Sequence, residues 1–395
     1  MATNREVVFV SGARTAIGDY GGSLQDFAPT DLATRVVKEA LARAKVDPAQ
    51  VSHVVFGSVI HTEPKDMYLS RVASIQAGLP KESVAMNVNR LCGSGFQAIV
   101  SAANAIQLGD ADIAIAGGAE SMSRAGYLMP SARWGARMND AKVIDMMVGG
   151  LTDPFDSVHM GITAENVAAQ FSISREEQDA FAVESHRRAS AAIAAGHFKS
   201  QILPIEIPGK KGVRLFDTDE HVRADVSLDT MSKLKPVFKK DGSVTAANAS
   251  GINDAAAALV LMEAGAAERA GQKPMGRLLA YAHAGVAPSV MGTGPIPAVK
   301  LALQRAGLKI ADIDLIESNE AFSAQALCVN KGLDLDPAKV NPNGGAVALG
   351  HPIGATGAIL TIKVLHELAR TGKRYGLVTM CIGGGQGIAG IIERL

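Results

Sequence analysis

Hydrophobic residues recur along the chain in patterns that predict alternating strands and helices. Residues Asp31 to Ala44 place Leu32, Val36, Val37, Ala40 and Leu41 on one helical face, and Thr30 or Asp31 is a suitable N-cap. Runs rich in β-branched or apolar residues predict strands at 7–10, 51–60, 112–116, 276–286 and 376–382. A glycine-rich loop is expected from Gly12 to Gly22. Gly117-Gly118 is expected to end the strand predicted at 112–116. The alternation favours an α/β fold.

The least polar helical pattern follows Cys92 in the segment 89–109, NRLCGSGFQAIVSAANAIQLG. No charged residue occurs between Arg90 and Asp110, and a helix without a charged face is usually buried on all sides. A thiol at the N-terminus of such a helix has a stabilised thiolate and a lowered pKa. A packed core cysteine is the alternative. On this segment alone both interpretations of Cys92 stand.

The segment from about Ser121 to Ser250 is more polar and turn-rich, and it contains the only tryptophan, Trp134. Within it, 174–195 predicts a charged helix in which Ser174 and Glu177 have capping-box spacing. We interpret it as an inserted, surface-exposed subdomain that contacts other subunits or covers a substrate. The following run, AANASGINDAAAALVLM, predicts a buried alanine-rich helix capped by Asn253 or Asp254.

A short internal repeat relates the two ends of the chain. ALARA at 40–44 returns as ALQRA at 302–306, an offset of 262 residues, and each copy leads through a short link into a strand. Each half then has a glycine-flanked residue of reactive type, a small-residue helix and a strand ending in Gly-Gly. In the first half that residue is Cys92, and in the second it is His351 in GHPIGATG. The repeat predicts two similar halves, with Cys92 and His351 at the N-termini of two facing helices.

Composition argues against several classes of protein. Lys plus Arg and Asp plus Glu number 39 each, so net charge gives no reason to expect nucleic-acid binding. Three widely spaced cysteines make a disulfide framework or a zinc site unfavourable and fit a reducing compartment. We find no apolar run of membrane-spanning length and no signal-peptide core. We therefore expect a cytoplasmic protein without membrane, nucleic-acid or metal partners.

Three further segments carry candidate chemistry. His351 lies between glycines and before Pro352, and it is either a structural histidine or the base that activates a thiol. Cys381 precedes a cluster of glycines in CIGGGQG, whose backbone N–H groups are suitable oxyanion donors and whose spacing does not follow a dinucleotide loop. The polar run 317–322, ESNEAF, follows a buried strand and either caps a turn or offers an amide that orients a water or a histidine.

NRLCGSGFQA, SNEAF, NPNGGAVALGHPIGATGA and CIGGGQG together resemble the thiolases, in the family's order. SGARTAIGDYGGSL and TAANASGINDAAAA resemble the same family, so the likeness covers essentially the whole chain. It implies a five-layered αβαβα fold of α/β class with two similar halves and an inserted loop domain. The implied domains are 1–121 with 252–273, the inserted 122–251, and 274–395.

The resemblance also implies an activity, the condensation of two acetyl-CoA molecules to acetoacetyl-CoA or the reverse thiolysis. Cys92 would carry the acyl group, His351 would activate its thiol, and Cys381 would remove the α-proton of the second acetyl-CoA. One oxyanion hole would come from His351 and a water held by Asn319, and the other from the backbone N–H groups of Cys92 and Gly383. The rate of the reaction depends on stabilising an enolate at neutral pH.

By the same resemblance, coenzyme A thioesters are substrates and no cofactor is needed. The residues that match positions near the pantetheine or adenine are His159, Met160, Arg223 and Ser250, and those that match the acyl end are Met291 and Phe322. The family implies a homodimer or homotetramer, with 123–138 (SRAGYLMPSARWGARM) as an assembly surface.

Alternative functions remain open at this point. The HMG turn at 159–161 and Met291 resemble the short-chain branch, but a 3-ketoacyl-CoA thiolase of broader chain length shares much of this pattern. A decarboxylating ketosynthase would need a second histidine where SNEAF stands and would lack Cys381. A Cys–His hydrolase does not account for the second cysteine. A non-catalytic, thiolase-like acyl-CoA binding protein would have lost some of Cys92, Asn319, His351 and Cys381, and none is lost.

Overall fold

The computed structural model describes residues 5–209 and 212–395. The strands in these ranges are β1 (Val7–Thr15), β2 (Gly18–Asp19), β3 (His53–Gly57), β4 (Val84–Val88), β5 (Ile113–Ser121), β6 (Tyr127–Leu128), β7 (Ile144–Asp145), β8 (Ile202–Leu203), β9 (Ile205–Gly209), β10 (Gly212–Phe216), β11 (Asn253–Glu263), β12 (Gly276–Gly285), β13 (Leu315–Ser318), β14 (Tyr375–Ile382) and β15 (Gln386–Arg394). The helices are α1 (Pro29–Ala44), α2 (Leu69–Gln76), α3 (Ser94–Leu108), α4 (Met146–Gly150), α5 (Met160–Gln170), α6 (Arg175–Ala194), α7 (Leu228–Ser232), α8 (Ala264–Arg269), α9 (Pro295–Ala306), α10 (Ser323–Leu333), α11 (Ala346–Leu349) and α12 (Thr356–Thr371).

The main sheets of the two halves have the same topology. In the first half, β1 pairs antiparallel with β11, β11 pairs antiparallel with β5, and β5, β3 and β4 are parallel. In the second half, β12, β15, β14 and β13 repeat this order and these directions, and Ile316 makes a parallel bridge to Val340 where the first half has β4. A short pairing of β1 with β12 joins the two sheets. The predicted internal repeat is therefore confirmed.

Helices cover both faces of each sheet. Helix α1 packs on the outer face of β1, β5 and β11, and α9 packs on the outer face of β12 and β15. Between the sheets, α3 packs on β3 and β5, α12 packs on β13 and β14, and the two helices contact each other. The layers are thus αβαβα, which confirms the predicted five-layered α/β fold.

The two central helices explain the uncharged sequence after Cys92. Ten of the fifteen residues of α3 are buried, including Phe96, Ile99 and Ile106. Helix α12 is buried from Thr356 through Leu365. Between the two sheets most of the α3 surface is covered, so small and apolar residues predominate there. The face with Gln97, Ser101, Asn104 and Leu108 is half-buried or exposed, so α3 is not buried on all sides as predicted.

The alanine-rich run does not form the predicted helix. Residues Asn253–Glu263 are strand β11, which lies between β1 and β5 and is buried along almost its whole length. Alanine favours helices when exposed, but pairing on both edges and cover on both faces override that preference here. A continuous run of small apolar residues has the same appearance in a buried strand and a buried helix, so periodicity could not separate the two.

Several predicted boundaries were also wrong. Strand β1 continues through Gly12 to Thr15, and β5 continues through Gly117 and Gly118 to Ser121. Helix α1 begins at Pro29 after Ala28, without a side-chain cap, so neither Thr30 nor Asp31 is the N-cap. The capping box at the start of α6 is present: the Glu177 N–H donates to Ser174 Oγ (3.2 Å) and the Ser174 N–H donates to Glu177 Oε2 (2.7 Å).

The segment 122–251 contains short strands and α4 to α7, and one of its strands, β8, pairs with β1. The predicted assembly surface within it is strongly exposed, with Trp134 at 81% and Met138 at 85% of their full accessibility. Across 5–209 and 212–395, no helix combines the length and the apolar character needed to cross a bilayer. The domain limits given above stay a prediction.

Candidate active site

Cys92 lies in a tight turn directly before α3. Leu91 adopts a left-handed backbone conformation with φ of 47°, which is costly for a residue with a β-carbon. Ser94 secures this turn because its hydroxyl accepts from the Arg90 N–H (2.8 Å) and donates to the Leu91 carbonyl (2.7 Å). The turn leaves the Cys92 thiol partly exposed to a cavity.

The pKa of the Cys92 thiol is raised, not lowered as predicted. Burial of the thiol raises its pKa to about 11, although hydrogen bonds from the backbone N–H groups of Gly383 and Cys92 itself act in the opposite direction. Burial removes more solvation than the helix end and the two amides restore, and the nearby Glu120 carboxylate raises the pKa further. The thiol is therefore protonated in the resting protein and needs a base. The same two N–H groups were predicted to form an oxyanion hole, and they converge on this sulfur.

His351 is a buried, neutral base. Burial lowers its pKa to about 4, and Nδ1 lies 2.7 Å from Thr356 Oγ1. The Thr356 hydroxyl donates its single hydrogen to the Pro352 carbonyl (2.9 Å), so it can only accept from the histidine. Nδ1 therefore carries the proton, and Nε2 keeps the lone pair with which a base removes a proton.

Asn319 faces that lone pair. Its Nδ2 lies 3.4 Å from His351 Nε2, and the side chain is fully buried at the end of β13. Because Nε2 is an acceptor, the amide nitrogen and not the amide oxygen points toward it. Glu320 follows Asn319 in the chain, and its buried carboxylate accepts from Ser185 Oγ and Asn341 Nδ2, both at 2.7 Å. These contacts keep the SNEAF turn rigid.

Two residues that the sequence did not indicate as part of the site hold the loop of His351. Asn253, predicted as a helix cap, instead accepts the His351 N–H on Oδ1 (2.9 Å) and donates from Nδ2 to the Gly18 carbonyl (3.0 Å). Glu120 accepts the Gly354 N–H (2.8 Å) and the N–H groups of Val59 and Ile60. Both lie far from His351 in sequence, and neither belongs to a pattern that could have revealed the contact.

The repeat places His351 less symmetrically than predicted. At the offset of 262 residues, Cys92 corresponds to Gly354 and not to His351. Cys92 lies two residues before α3, whereas His351 lies five residues before α12. His351 therefore reaches the site from the loop that precedes the helix.

Most of the predicted site residues line one cavity of about 410 Å³. It brings together residues from both halves and from the inserted segment: Cys92, His159, Met160, Ser250, Met291, Phe322, His351 and Gly383. The walls are mainly apolar, as in sites for organic ligands. His159 stacks on Phe238, which was not predicted, with ring centroids 4.6 Å apart.

Cys381 lies behind this cavity. It is fully buried at the end of β14 and packs with Met160, Met291 and Phe322. Burial, with a further contribution from Cys92, raises the pKa of its thiol well above the ordinary value. A thiolate formed there is a strong base.

Arg223 lies apart from the other predicted residues. It lines a second cavity of about 360 Å³ with His186 and His221, and Ala246 and Ala249 are common to both cavities. The second cavity is thus an extension of the first, and its charged side chains are Arg223 and Asp225. Among the residues that the structure describes, no three His, Cys, Asp or Glu side chains form a group suited to a metal ion.

Comparison with known proteins covers the whole chain. The family profile Thiolase, N-terminal domain matches residues 7–265, and Thiolase, C-terminal domain matches 272–394. The chain is 65% identical to beta-ketothiolase BktB of Cupriavidus necator over 99% of this chain and 100% of that protein. It is 52% identical to an acetyl-CoA acetyltransferase of the same organism, over 98% and 99% of the two chains.

Solved structures agree. Human mitochondrial 3-ketoacyl-CoA thiolase superposes with a TM-score of 0.97 at 45% identity over 99% of both chains. An acetyl-CoA acetyltransferase of Bacillus anthracis gives the same TM-score at 44% identity over the full length of both. With both family profiles matched in order and the fold shared from end to end, this chain belongs to the thiolase family of acyltransferases.

Proposed function

We propose that the protein is an acetyl-CoA C-acetyltransferase that condenses two acetyl-CoA molecules to acetoacetyl-CoA and CoA, and that also catalyses the reverse thiolysis. One observation carries the proposal. Cys92, the lone pair of His351 and two backbone N–H groups meet at one end of an apolar cavity, with a second cysteine of raised pKa directly behind. A single nucleophile would not need that second thiol.

In the first half-reaction the thiol of Cys92 is acetylated. His351 Nε2 takes the Cys92 proton while the sulfur attacks the thioester carbonyl, and the N–H groups of Cys92 and Gly383 receive the negative oxygen. The carbon–sulfur bond to CoA then breaks, and Cys381 gives its proton to the departing CoA sulfur. This leaves an acetyl group on Cys92, an imidazolium at His351 and a thiolate at Cys381.

In the second half-reaction the thiolate of Cys381 removes an α-proton from the methyl group of a second acetyl-CoA. The enolate oxygen is stabilised by the Nε2–H of His351 and by the amide of Asn319 through the water that it holds. The enolate carbon attacks the acetyl carbon on Cys92, the bond to the Cys92 sulfur breaks, and His351 returns its proton to that sulfur. All groups regain their resting protonation states.

Incubation with acetyl-CoA followed by mass spectrometry of peptides tests the first half-reaction. We expect one acetyl group on Cys92 and none in Cys92→Ser. An enzyme that forms acetoacetyl-CoA without any acetyl-Cys92 would contradict the proposed intermediate.

Cys381→Ser tests the second half-reaction. A serine hydroxyl is too weak a base for the α-proton, so we expect condensation to be lost. Cys92 acetylation should persist at a lower rate, because the CoA thiolate can leave without the proton that Cys381 supplies. Cys328→Ser is the matched control because Cys328 is a buried cysteine on α10 outside the cavity. Condensation that survives in Cys381→Ser would assign the base to another residue.

A thiolase of broader chain length is the second candidate, and the higher identity to a beta-ketothiolase than to an acetyltransferase favours it. Met291 and Phe322 pack against Cys381 and bound the acyl end of the cavity. Comparison of kcat/KM for thiolysis of acetoacetyl-CoA and 3-ketohexanoyl-CoA separates the two candidates. Equal values would support the broader specificity.

We also propose that coenzyme A lies along both cavities, that the enzyme acts in fatty acid metabolism in the cytoplasm, and that it is a homodimer or homotetramer. The exposed Trp134 and Met138 support assembly, because large apolar side chains in one loop are typical of contacts between subunits. Light scattering after size-exclusion chromatography should show a smaller particle for Trp134→Ser with Met138→Ser if this loop joins dimers.

A further inference from the structure

A buried ion pair lies beneath the proposed oxyanion hole. Lys363 on α12 donates from Nζ to Glu317 Oε2 at 2.6 Å and to the Gly344 carbonyl at 2.8 Å. The side chains are 2% and 0% exposed, respectively. Burying two charges is costly, and a bulky apolar pair would fill the same space. The position of this pair therefore calls for an explanation.

The pair is close to both side chains of the oxyanion hole. Glu317 lies two residues before Asn319 on the same strand end, and Thr356 and Lys363 lie two helical turns apart on one face of α12. Thr356 fixes the tautomer of His351. The same helix face thus contacts the histidine at one end and the strand of Asn319 at the other.

The two polar atoms of the Asn319 amide, Nδ2 and Oδ1, differ in their contacts. Nδ2 points toward His351 Nε2, as the tautomer requires. Oδ1 is buried and makes no hydrogen bond to any residue that the structure describes. The Lys363 ammonium carries three N–H bonds, and its two contacts within the described residues leave one for a further acceptor.

A small cavity of about 10 Å³ is lined by residues that include both Asn319 and Lys363. Thr356 also lines it, and the rest of the lining is mainly apolar or backbone. Its volume is roughly what one water molecule needs, and an internal water needs at least two polar partners. Here an ammonium N–H is the donor and an amide oxygen is the acceptor.

We propose that Lys363 is a positioning residue, and that one internal water in this cavity accepts from Lys363 Nζ and donates to Asn319 Oδ1. This water lies behind the amide, opposite the substrate. It holds the amide oxygen away from the oxyanion site, so that Nδ2 faces His351 and the reacting oxygen. Without it the amide is free to turn and to place its oxygen beside the negative charge of the enolate. The inference rests on the proposed function only for its kinetic consequence.

A high-resolution crystal structure of the wild-type protein tests the site directly. We expect an ordered water within about 3.2 Å of both Lys363 Nζ and Asn319 Oδ1. A cavity without that water, or a water that contacts only one of the two groups, would overturn the inference. This result does not depend on which reaction the enzyme catalyses, so it is separate from a failure of the proposed function.

Kinetics of two variants test the role. Lys363→Met leaves Glu317 without a partner, so it should lower both Tm and the kcat of condensation. Lys363→Met with Glu317→Gln removes both charges and should regain most of the lost Tm. Since the donor to the water is still missing, we expect kcat to stay roughly tenfold to a hundredfold below wild type, with KM for acetyl-CoA unchanged.

Recovery of kcat together with Tm in the double variant would show that Lys363 only neutralises Glu317, and would overturn the role. Cys92 acetylation in the absence of condensation supplies a second readout. We expect the double variant to lose more rate in condensation than in acetylation, because the Asn319 amide acts on the enolate.

Discussion

Gly95 and Gly357 lie where the central helices cross, and the opposite helix leaves no room for a β-carbon on either of them. A β-carbon on Gly95 would lie 2.8 Å from the Ala358 backbone nitrogen, and one on Gly357 would lie 2.2 Å from the Phe96 backbone nitrogen. The two glycines are equivalent under the repeat of 262 residues. The contact is therefore a true pseudo-twofold crossing, and it brings the Cys92 turn next to the His351 loop.

Gly95→Ala should destabilise the protein because backbone atoms, and not a flexible side chain, must move to admit the methyl group. We expect a loss of about 3 kcal/mol or more in unfolding free energy, with a fall in kcat as Cys92 and His351 separate. Denaturant unfolding and steady-state thiolysis measure both. Gly126→Ala is the control, since nothing lies within 4 Å of its added β-carbon. Equal stability of the two variants would contradict the close crossing.

Thr356→Val should remove the acceptor that keeps the His351 proton on Nδ1. Valine has the shape of threonine but no hydroxyl, so the histidine gains by moving its proton to Nε2, where it can no longer take the Cys92 proton. We expect Cys92 acetylation to slow by roughly 10²- to 10⁴-fold, as measured by rapid quench with acetyl-CoA.

Thr361→Val is the matched control for Thr356→Val. Thr361 is also a buried threonine on α12, and its hydroxyl donates to the Gly357 carbonyl at 2.8 Å. Of the two threonines, only Thr356 contacts His351. Thr356→Ser keeps the hydroxyl and should therefore keep the activity. Comparable losses in Thr356→Val and Thr361→Val would point to helix packing in place of the tautomer.

The fold could be predicted from the sequence largely because its two halves repeat. ALARA and ALQRA marked helices that the structure places at equivalent positions, and the uncharged segment after Cys92 marked a helix between two sheets. The alanine-rich run that ends at Met262 was wrongly predicted as a helix, since alanine fits a strand when both faces of the sheet are covered. That cover comes from α1, α3 and α12, which are distant in sequence.

The site was predictable only in part, for a related reason. Cys92, His351 and Cys381 have glycine neighbours that local sequence reveals. Thr356, Asn253 and Glu120 act through contacts that exist only after folding. The predicted lowering of the pKa of Cys92 was wrong, because the sequence reveals the helix end but not the loss of solvation around the thiol.

The pH dependence of Cys92 alkylation tests its protonation state. With a pKa of about 11, only about one thiol in ten thousand is ionised at pH 7, and the ionised fraction grows tenfold with each pH unit up to that pKa. The rate of reaction with iodoacetamide should therefore keep rising from pH 6 to pH 10. A neutral His351 with a pKa of about 4 adds no charge in this range.

Peptide mass spectrometry assigns the alkylated cysteine, and Cys92→Ser gives the background rate from Cys328 and Cys381, which are buried. A plateau in the rate above pH 6 would show a thiolate–imidazolium pair at rest. In that case the helix end would lower the pKa of Cys92 by more than the loss of solvation raises it.

Arg223→Gln should weaken coenzyme A binding without changing the chemistry. Arg223 lines the second cavity with His186 and His221, and coenzyme A carries its phosphates on the part of the molecule remote from the thioester. An interaction of equal strength in the ground state and transition state changes KM and not kcat. We expect KM for acetyl-CoA to rise roughly fivefold, as an exposed charged contact is worth about 1 kcal/mol.

Salt distinguishes this electrostatic contact from a packing effect. The wild-type KM should rise with ionic strength because ions screen exposed charges, and the KM of Arg223→Gln should depend on salt less steeply. Arg214→Gln is the control, since Arg214 on β10 is exposed and donates instead to Ser23 Oγ (2.7 Å). A fall in kcat at unchanged KM would move Arg223 from ligand binding to catalysis and would contradict the assignment of coenzyme A to the second cavity.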